Sequence, residues 1–262
     1  MPRALWIGAS GMAAQQTNVD IISNNIANVN TTAYKSQRGD FQDLFYDTTT
    51  APGVRAGDTG RNPTGSQIGN GVRLSSTPRL FTPGSIQSTG QATNMAIIGD
   101  GFFAVTMPDG TTAYTRAGDF APDADGHLVT PDGYLLNPAI TIPATASSIS
   151  VSTTGEVTAL LPGNTQAQTI GTLQLTRFLN EPGLLARGQN LYTESSASGQ
   201  PQVGTPGANG LGTILGGNIE QSNVQVVTEL VNLIVAQRAY DMNSKSIQTA
   251  NQMLETANQL VT

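Results

Sequence analysis

The chain of 262 residues has no cysteine, so it can form no disulfide, no thiolate nucleophile and no thiolate metal site. It also lacks any apolar run close to the roughly 20 residues that span a bilayer, which predicts a protein that is not embedded in a membrane. Only two lysines and a net charge of −6 leave no basic face for phosphate groups. Nucleic acid is therefore not an expected partner.

Charge of either sign is scarce, since charged residues make up 11% of the chain, against about 25% in an average soluble domain. Glycine, proline, hydroxyl and amide residues take their place. Such a surface is neutral and polar, and copies of the chain repel one another only weakly. This composition is tolerable in a protein that packs against itself.

Residues suited to catalysis or metal binding form no convincing group, and we expect no catalytic residue, no cofactor and no metal. The single histidine, His127, follows an Asp-Gly turn and has no second histidine or cysteine to share a metal. Asp123 and Asp125 superficially suggest a calcium loop, but the alignment puts Ala121 at the first ligand position and Asp132 where a bidentate glutamate belongs. A carboxylate pair for glycoside hydrolysis stays open, because spatial separation is invisible in a sequence.

Both ends of the chain carry apolar residues at alternating spacings of three and four, from Leu5 to Val29 and from Val226 to Leu254. This spacing is the a/d pattern of a coiled coil. No comparable helical pattern lies between the two ends, so we predict a paired-helix domain from residues 1–35 and 222–262. The alternative for either end alone is an ordinary amphipathic helix packed on a domain core.

The middle of the chain predicts β structure with extended flanks. Short apolar segments separated by Asp-Gly and other glycine turns recur from Met95 onward and predict a β domain over residues 95–195. Residues 36–94 and 196–221 are rich in glycine, proline and hydroxyl residues and predict a connecting region, in which residues 46–67 form an arm with no helical or strand period. The fold class is α+β, with paired terminal helices around a central all-β domain.

Four asparagines, Asn24, Asn25, Asn28 and Asn30, stand near the end of the first helix, where a solvated surface would usually carry charge. We expect them to donate to and accept from neighbouring backbone or amide groups, because amides satisfy buried partners without burying a charge. On that interpretation, alanine at Asn25 or Asn28 weakens polymerisation more than folding. The alternative is a set of solvated amides that favour helix termination.

Three separated motifs, in the right order, resemble those of bacterial flagellar axial proteins, the rod and hook family. They are WIGASGMAAQQTNVDIISNNIANVNTTAYK at the N-terminus, GDGFF in the middle, and QSNVQVVTELVNLIVAQRAYDMNSKSIQTANQML at the C-terminus. The stretches PDGTTAYTR and NPAITIPATA, the total length and the insertion after Phe45 further resemble a rod member of that family. Ala33 replaces the usual glycine of the first motif, and Gln221 the usual glutamate of the last.

The resemblance implies a structural subunit of the flagellar basal body. Many copies would polymerise into a helical tube that crosses the periplasm as a drive shaft and passes torque to the hook. Implied partners are the chain itself, other rod proteins, the hook protein and the surrounding P and L ring proteins. The terminal helices are expected to be disordered in the monomer and to fold on assembly, and the arm is expected to lie on adjacent subunits and stiffen the tube. The residues assigned to subunit packing are Leu5, Met12, Val19, Ile22, Asn25, Ile26, Asn28, Val29, Leu230, Leu233, Gln237, Tyr240, Ile247 and Leu254.

Two alternatives to this function stay open: another axial protein (hook or proximal rod), and an extracellular β-rich adhesin. The family resemblance also implies export without a cleaved signal peptide. The stretch MPRALWIGASGMAA offers a weak signal-peptide pattern, but its glycines dilute the apolar region and the helical pattern continues past it.

Overall fold

A computed structural model describes residues 3–53, 55–56, 60–61, 63–163 and 166–261, and it confirms the α+β class. Two compact units make up the chain. The helix–hairpin unit contains Met1–Ile26, Gln37–Pro78 and Val226–Thr262, and the sheet unit contains Ala27–Ser36 and Arg79–Gln225. The predicted β domain, residues 95–195, lies inside the sheet unit, while its predicted boundaries stay a prediction.

Two helices occur where the terminal patterns place them: α1 spans Arg3–Ala27 and α2 spans Val226–Val261. Neither contains proline, and both are rich in Ala, Gln and other residues compatible with helix. At the end of α1 the Thr31 amide donates to the Asn28 carbonyl at 3.2 Å, which closes a turn. Glu229 lies in the first turn of α2, where the helix dipole favours an acidic side chain.

The rest of the helix–hairpin unit is a nested antiparallel hairpin in which the outgoing strands pair in reverse order with the returning ones: β1 with β6, β2 with β5 and β3 with β4. The sequence shows no strand period here because described residues on both faces of β2 and β5 are largely exposed, so no apolar alternation is required. Residues 54, 57–59 and 62 of the predicted 46–67 arm lie outside the described residues. The strands are β1 (Asp40–Asp43), β2 (Tyr46–Thr50), β3 (Arg55–Ala56), β4 (Gly60–Arg61), β5 (Ser66–Gly69) and β6 (Val72–Ser76).

In its described residues, the sheet unit is built from short antiparallel strands and one 3₁₀ helix, Glu181–Gly183. The strands are β7 (Ile86–Ser88), β8 (Met95–Ile98), β9 (Phe102–Thr106), β10 (Thr112–Thr115), β11 (Ala121–Pro122), β12 (Leu128–Val129), β13 (Leu135–Asn137), β14 (Ser148–Val151), β15 (Glu156–Leu160), β16 (Gln168–Thr172), β17 (Leu175–Arg177), β18 (Leu185–Gly188), β19 (Leu191–Thr193), β20 (Gln202–Gly204), β21 (Thr213–Gly216) and β22 (Asn218–Glu220).

The core of this unit is organised by β9, which pairs with β10, β13 and β17 in a nine-stranded sheet. Side chains alternate across a strand, so the two phenylalanines of the GDGFF motif point to opposite faces. Phe103 packs in one apolar cluster, edge to face with Phe120, and the centroids of the two rings are 5.3 Å apart. Phe102 packs in the other cluster, edge to face with Phe178, and the centroids of these rings are 5.9 Å apart. Both rings are fully buried, and one strand therefore supplies two cores.

Candidate functional site: the terminal helices and a buried ionic cluster

The residues assigned to subunit packing differ in exposure within the single chain. Buried are Ile22 and Asn25; half-buried are Leu5, Met12, Val19, Ile26, Asn28, Val29, Leu233 and Ile247; exposed are Leu230, Gln237, Tyr240 and Leu254. The residues on α2 are thus less covered than those on α1. Their role between subunits stays a prediction.

Asn25 is held by its own chain rather than left for a neighbour. Its side-chain oxygen accepts from the Gln37 amide at 2.9 Å, and its Nδ2 donates to the Gln37 carbonyl at 2.8 Å. The same Nδ2 lies 3.4 Å from Oε1 of Glu229, and burial raises the pKa of Glu229 above its ordinary value, opposed by its bonds to Asn25 and Asn232. The expected amide-to-backbone bonding is therefore present at Asn25, but inside one chain.

Two glycines of α1 permit a close approach of α2. A Cβ built on Gly8 would lie 2.7 Å from Cγ1 of Ile247, and one on Gly11 would lie 2.9 Å from Nδ2 of Asn243. Any larger residue would force the neighbouring side chain to move. Gly8, which weakens the apolar pattern in the sequence, is thus a point of close contact between the two helices.

Helix α2 leaves much of its apolar surface uncovered. Ala236 is its one buried residue among those whose exposure the structure describes. A helix that is apolar on several sides normally has all of them covered. The exposed large apolar residues are Val226, Val227, Leu230, Val231, Ile234, Val235, Tyr240, Met242, Met253 and Leu254.

A buried ionic cluster lies in the sheet unit and consists of Lys35, Arg116 and Glu220. Oε1 of Glu220 accepts from Nζ of Lys35 at 2.7 Å, and Oε2 accepts from Nε of Arg116 at 3.0 Å. All three side chains are at most 3% exposed. Since a buried charge needs partners for every polar atom, these three side chains depend on one another.

The remaining polar atoms of the cluster bond to backbone groups. Lys35 also donates to the Thr82 carbonyl at 2.8 Å, and Arg116 donates to the carbonyls of Gly99 at 2.8 Å and Gly101 at 3.0 Å. The Gly84 amide donates to Oε1 of Glu220 at 2.9 Å. The cluster therefore draws together five separate stretches of the chain, around residues 35, 82–84, 99–101, 116 and 220.

Burial and the charge of opposite sign shift the pKa values of Glu220 and Lys35 in opposite directions. Burial alone would raise the pKa of Glu220, but Arg116 and then Lys35 hold that pKa below its ordinary value. Burial lowers the pKa of Lys35, and the Arg116 guanidinium lowers it further, against the attraction of Glu220. One carboxylate is thus shared by two cations that repel each other.

This cluster was not predicted from the sequence, although Lys35 ends the N-terminal motif, Arg116 ends the stretch PDGTTAYTR and Glu220 directly precedes the C-terminal motif. The available signal was the scarcity of lysine. The chain has only two lysines, and one of them, Lys35, ends the N-terminal motif. A lysine placed within a motif in a chain with so few lysines suggests a specific partner rather than a solvated side chain. Nothing in the sequence, however, indicates that Arg116, some 80 residues away, meets it.

The two departures from the family motifs occupy defined positions. Ala33 is fully buried with a φ of 54°, in the left-handed region that favours glycine. The side-chain Nε2 of Gln221 donates to Oε1 of Gln87 at 2.6 Å, and its Oε1 accepts from the Ser85 hydroxyl at 2.8 Å. Neutral Gln221 thus serves here as a donor to one side chain and an acceptor from another.

His127 lies in the turn that the sequence predicts. One Asp123 carboxylate oxygen accepts from the amides of Asp125 and His127, at 2.9 and 2.7 Å, and the Thr141 hydroxyl bonds to Nδ1 of His127 at 2.9 Å. Within the described ranges, no three His, Asp or Glu residues are grouped to hold a metal. Within those same ranges, neither helix is long and apolar enough to cross a membrane.

Three protein-family models match this chain, and all describe flagellar axial proteins. They are a flagella basal body rod protein model over residues 5–35, a flagellar hook protein FlgE/F/G D1 domain model over 96–159, and a flagellar basal body rod FlgEFG C-terminal model over 215–260. The matched segments contain the three motifs of the sequence analysis. They define the class: a rod or hook protein of the bacterial flagellum.

Relatives from several bacteria match over nearly full length. The chain is 49% identical to the flagellar basal-body rod protein FlgG of Caulobacter vibrioides, with 98% of this chain and 99% of the relative covered. It is 45% identical to FlgG of Borreliella burgdorferi, with 99% of each covered. The flagellar hook protein FlgE of Helicobacter mustelae is 45% identical over 52% of this chain and 30% of its own length.

The chain therefore belongs to the FlgG family of flagellar basal-body rod proteins. The function is that of a structural subunit of the distal rod in the flagellar basal body, as the resemblance implied. Full-length coverage by rod relatives, with only partial coverage of a hook protein, favours the rod over the hook. The family is a structural one, and the adhesin interpretation receives no support from it.

Proposed function

We propose that this chain polymerises, with other rod proteins and the hook protein at the ends of the polymer, into a helical tube that crosses the periplasm and transmits torque. The terminal helices pair as a coiled coil and form the inner layer, where neighbouring copies cover their remaining faces. The P and L ring proteins surround the tube. The single observation that carries the proposal is the uncovered apolar surface of α2.

The size of that surface supports assembly. Val227 is 76% exposed, Val235 62% and Ile234 57%. Covering a side chain of this kind contributes about 1.5–3 kcal/mol relative to full exposure, and every subunit of a tube repeats the contribution. A surface that packs on a different patch of the next copy builds an open helical filament wherever the rotation between copies does not close into a ring.

A matched pair of valines tests the proposal. Val235 on α2 and Val203 on β20 are 62% and 60% exposed, so aspartate introduces a charge at equal exposure. Val235→Asp is expected to abolish filaments in electron micrographs and motility in complemented cells, with circular dichroism of the monomer unchanged. Val203→Asp is expected to leave filaments and motility intact. Filaments from both variants, or from neither, would contradict assembly through α2.

The predicted 46–67 arm is proposed to lie on adjacent subunits and stiffen the tube. Support comes from the base of the nested hairpin, where Phe45 is 92% and Tyr46 is 55% exposed. Deleting residues 48–67 is expected to give filaments with a shorter persistence length in electron micrographs. Filaments as straight as those of the intact chain would refute the stiffening role.

Export without cleavage of a signal peptide is proposed for the same chain. Gly8 and Ala14 are buried in α1, so cleavage after Ala14 would remove part of the packed face of that helix. N-terminal sequencing of the assembled protein is expected to give a start upstream of Ala14. A start downstream of it would overturn this part of the proposal.

A further inference from the structure

The ionic cluster of Lys35, Arg116 and Glu220 joins the two segments of the sheet unit that continue into the terminal helices. Lys35 belongs to residues 27–36, which follow α1, and Glu220 ends β22, shortly before α2. Arg116 follows β10 within the body of the sheet unit. All of the contacts described below lie inside this unit.

Backbone and amide bonds hold the same two segments together. The Ala33 amide donates to the Glu220 carbonyl at 2.8 Å, and the Ser36 amide donates to Oδ1 of Asn223 at 2.8 Å. Nδ2 of Asn223 donates to the Leu80 carbonyl at 2.7 Å. The segment from residue 33 to 36 therefore packs on a surface that includes the C-terminal segment.

The charges make this arrangement asymmetric. If residues 27–36 are undocked, Glu220 still has Arg116 as a partner at 3.0 Å, and the remaining pair is neutral. If instead β22 is undocked, Lys35 and Arg116 remain as two buried cations with no carboxylate paired to them, and only the attraction of Glu181, which forms no ion pair with either, is left. Leaving a buried charge without its partner is strongly unfavourable, whereas a buried neutral pair is tolerated.

We propose that Glu220 makes docking of the N-terminal segment, residues 27–36, conditional on prior docking of the C-terminal strand β22. The C-terminal strand docks without Lys35, but Lys35 does not dock without Glu220. Because a chain is synthesised from its N-terminus, the N-terminal segment then stays undocked until the last part of the chain is present. This inference concerns the unpolymerised chain and does not rest on the proposed tube.

The scarcity of lysine supplies a direct measurement. Lys35 is fully buried and Lys245 is exposed on α2, and the chain has no other lysine. An amine-reactive reagent followed by mass spectrometry of the full-length monomer therefore reports docking of residues 27–36 at Lys35, with Lys245 as the internal control. In the wild-type chain Lys35 is expected to react at least about 100 times more slowly than Lys245, because reaction requires local opening.

Two variants distinguish the conditional order from mutual dependence. Glu220→Gln is expected to raise the labelling rate of Lys35 at least about tenfold, since the cation loses its counter-charge, with Lys245 unchanged. Lys35→Met is expected to leave hydrogen exchange of the Gln221 amide, which donates to the Ser85 carbonyl at 2.8 Å, within about threefold of wild type. Slow labelling of Lys35 in Glu220→Gln, or loss of Gln221 protection in Lys35→Met, would overturn the proposal.

A third variant covers the case in which Glu220→Gln does not fold. Adding Lys35→Met to Glu220→Gln removes one of the two uncompensated cations, so the double variant is expected to recover folding or stability relative to Glu220→Gln alone. The same replacement in the wild-type background gives no such gain. A double variant no more stable than Glu220→Gln would show that the cations do not oppose each other and would overturn the proposal.

Discussion

The helix–hairpin unit and the sheet unit bury their side chains to very different extents. Both apolar clusters of buried residues belong to the sheet unit. In the helix–hairpin unit, the buried residues among those whose exposure is described are Gly8, Ala14, Ile21, Ile22, Asn25 and Ala236. The comparison shows that one unit has its own core, whereas the other exposes apolar helix surface that only further partners could cover.

This difference sets what each unit needs in order to be stable. Isolated helices are marginal in water, and most of their stability in proteins comes from packing of an apolar face. The sheet unit has that packing internally. The helix–hairpin unit has it only along part of α1. The expectation that the termini are disordered in the monomer and fold on assembly stays a prediction.

Among variants that leave the ionic cluster neutral, the largest effect is expected in the sheet unit from Arg116→Met. Lys35 still neutralises Glu220, but Oε2 of Glu220 and the Gly99 and Gly101 carbonyls lose their donor, so the unfolding free energy should fall by about 1–3 kcal/mol for each buried group left without a partner. Near-ultraviolet circular dichroism in a urea titration measures it, because four of the six tyrosines, Tyr34, Tyr114, Tyr134 and Tyr192, belong to this unit. Arg238→Met, at an exposed position of α2, is the control and should change that value by less than about 0.5 kcal/mol. Equal losses in the two variants would refute a structural role for the cluster.

A smaller effect is expected in the helix–hairpin unit from Asn25→Ala. The Gln37 amide and carbonyl would lose their partner, at about 1–3 kcal/mol for each buried unsatisfied group. Trp6, the only tryptophan, lies on α1 and reports this unit through its fluorescence. The sequence predicted that alanine at Asn25 weakens polymerisation more than folding. Because Asn25 bonds to Gln37 of its own chain, we now expect the substitution to weaken folding as well. Gln16→Ala, at an exposed position of α1, should leave folding unchanged, and an equal loss there would contradict the role of Asn25.

Two glutamates should respond to acid with opposite signs, one in each unit. Lys35 and Arg116 hold the pKa of Glu220 below the ordinary value of 4.5, so its contribution to stability is fully present above pH 4.5 and is lost as pH falls through the lowered pKa. Burial raises the pKa of Glu229, so the charged form opposes folding at neutral pH, and stability should increase as pH falls through the raised pKa.

Glutamine variants isolate these two contributions from the other titrating groups. At pH 7, Glu220→Gln should destabilise the sheet unit, and its difference from wild type should shrink below pH 4.5. Glu229→Gln should slightly stabilise the helix–hairpin unit, since Gln still offers an oxygen to Asn25. Urea titrations at several pH values, followed by tyrosine circular dichroism and Trp6 fluorescence, measure both. The same sign in both variants would contradict the opposite environments.

The sequence predicted the two helices, because their residues repeat at helical spacing, and the strands of the sheet unit, because Asp-Gly and other glycine turns separate short apolar segments. It did not predict the nested hairpin, whose residues are exposed on both faces and therefore carry no period. Nor did it predict the ionic cluster, because Lys35, Arg116 and Glu220 meet only through tertiary packing. The close approach at Gly8 was hidden for a related reason: a glycine weakens the apolar pattern that was used to find the helix contact.

The smallest effect is expected from Ala33→Gly. Ala33 is fully buried with a φ of 54°, a conformation that costs an alanine about 1–2 kcal/mol. Glycine removes that strain but adds freedom to the unfolded chain, which offsets about 0.5–1 kcal/mol. The sheet unit should therefore gain at most about 1.5 kcal/mol. Ala113→Gly, equally buried in β10 without a positive φ, is the control and should lose about 1 kcal/mol. A loss of the same size at both positions in urea titrations would show that Ala33 is not strained, and that the tight turn after α1 accepts alanine as readily as the glycine usual in the family.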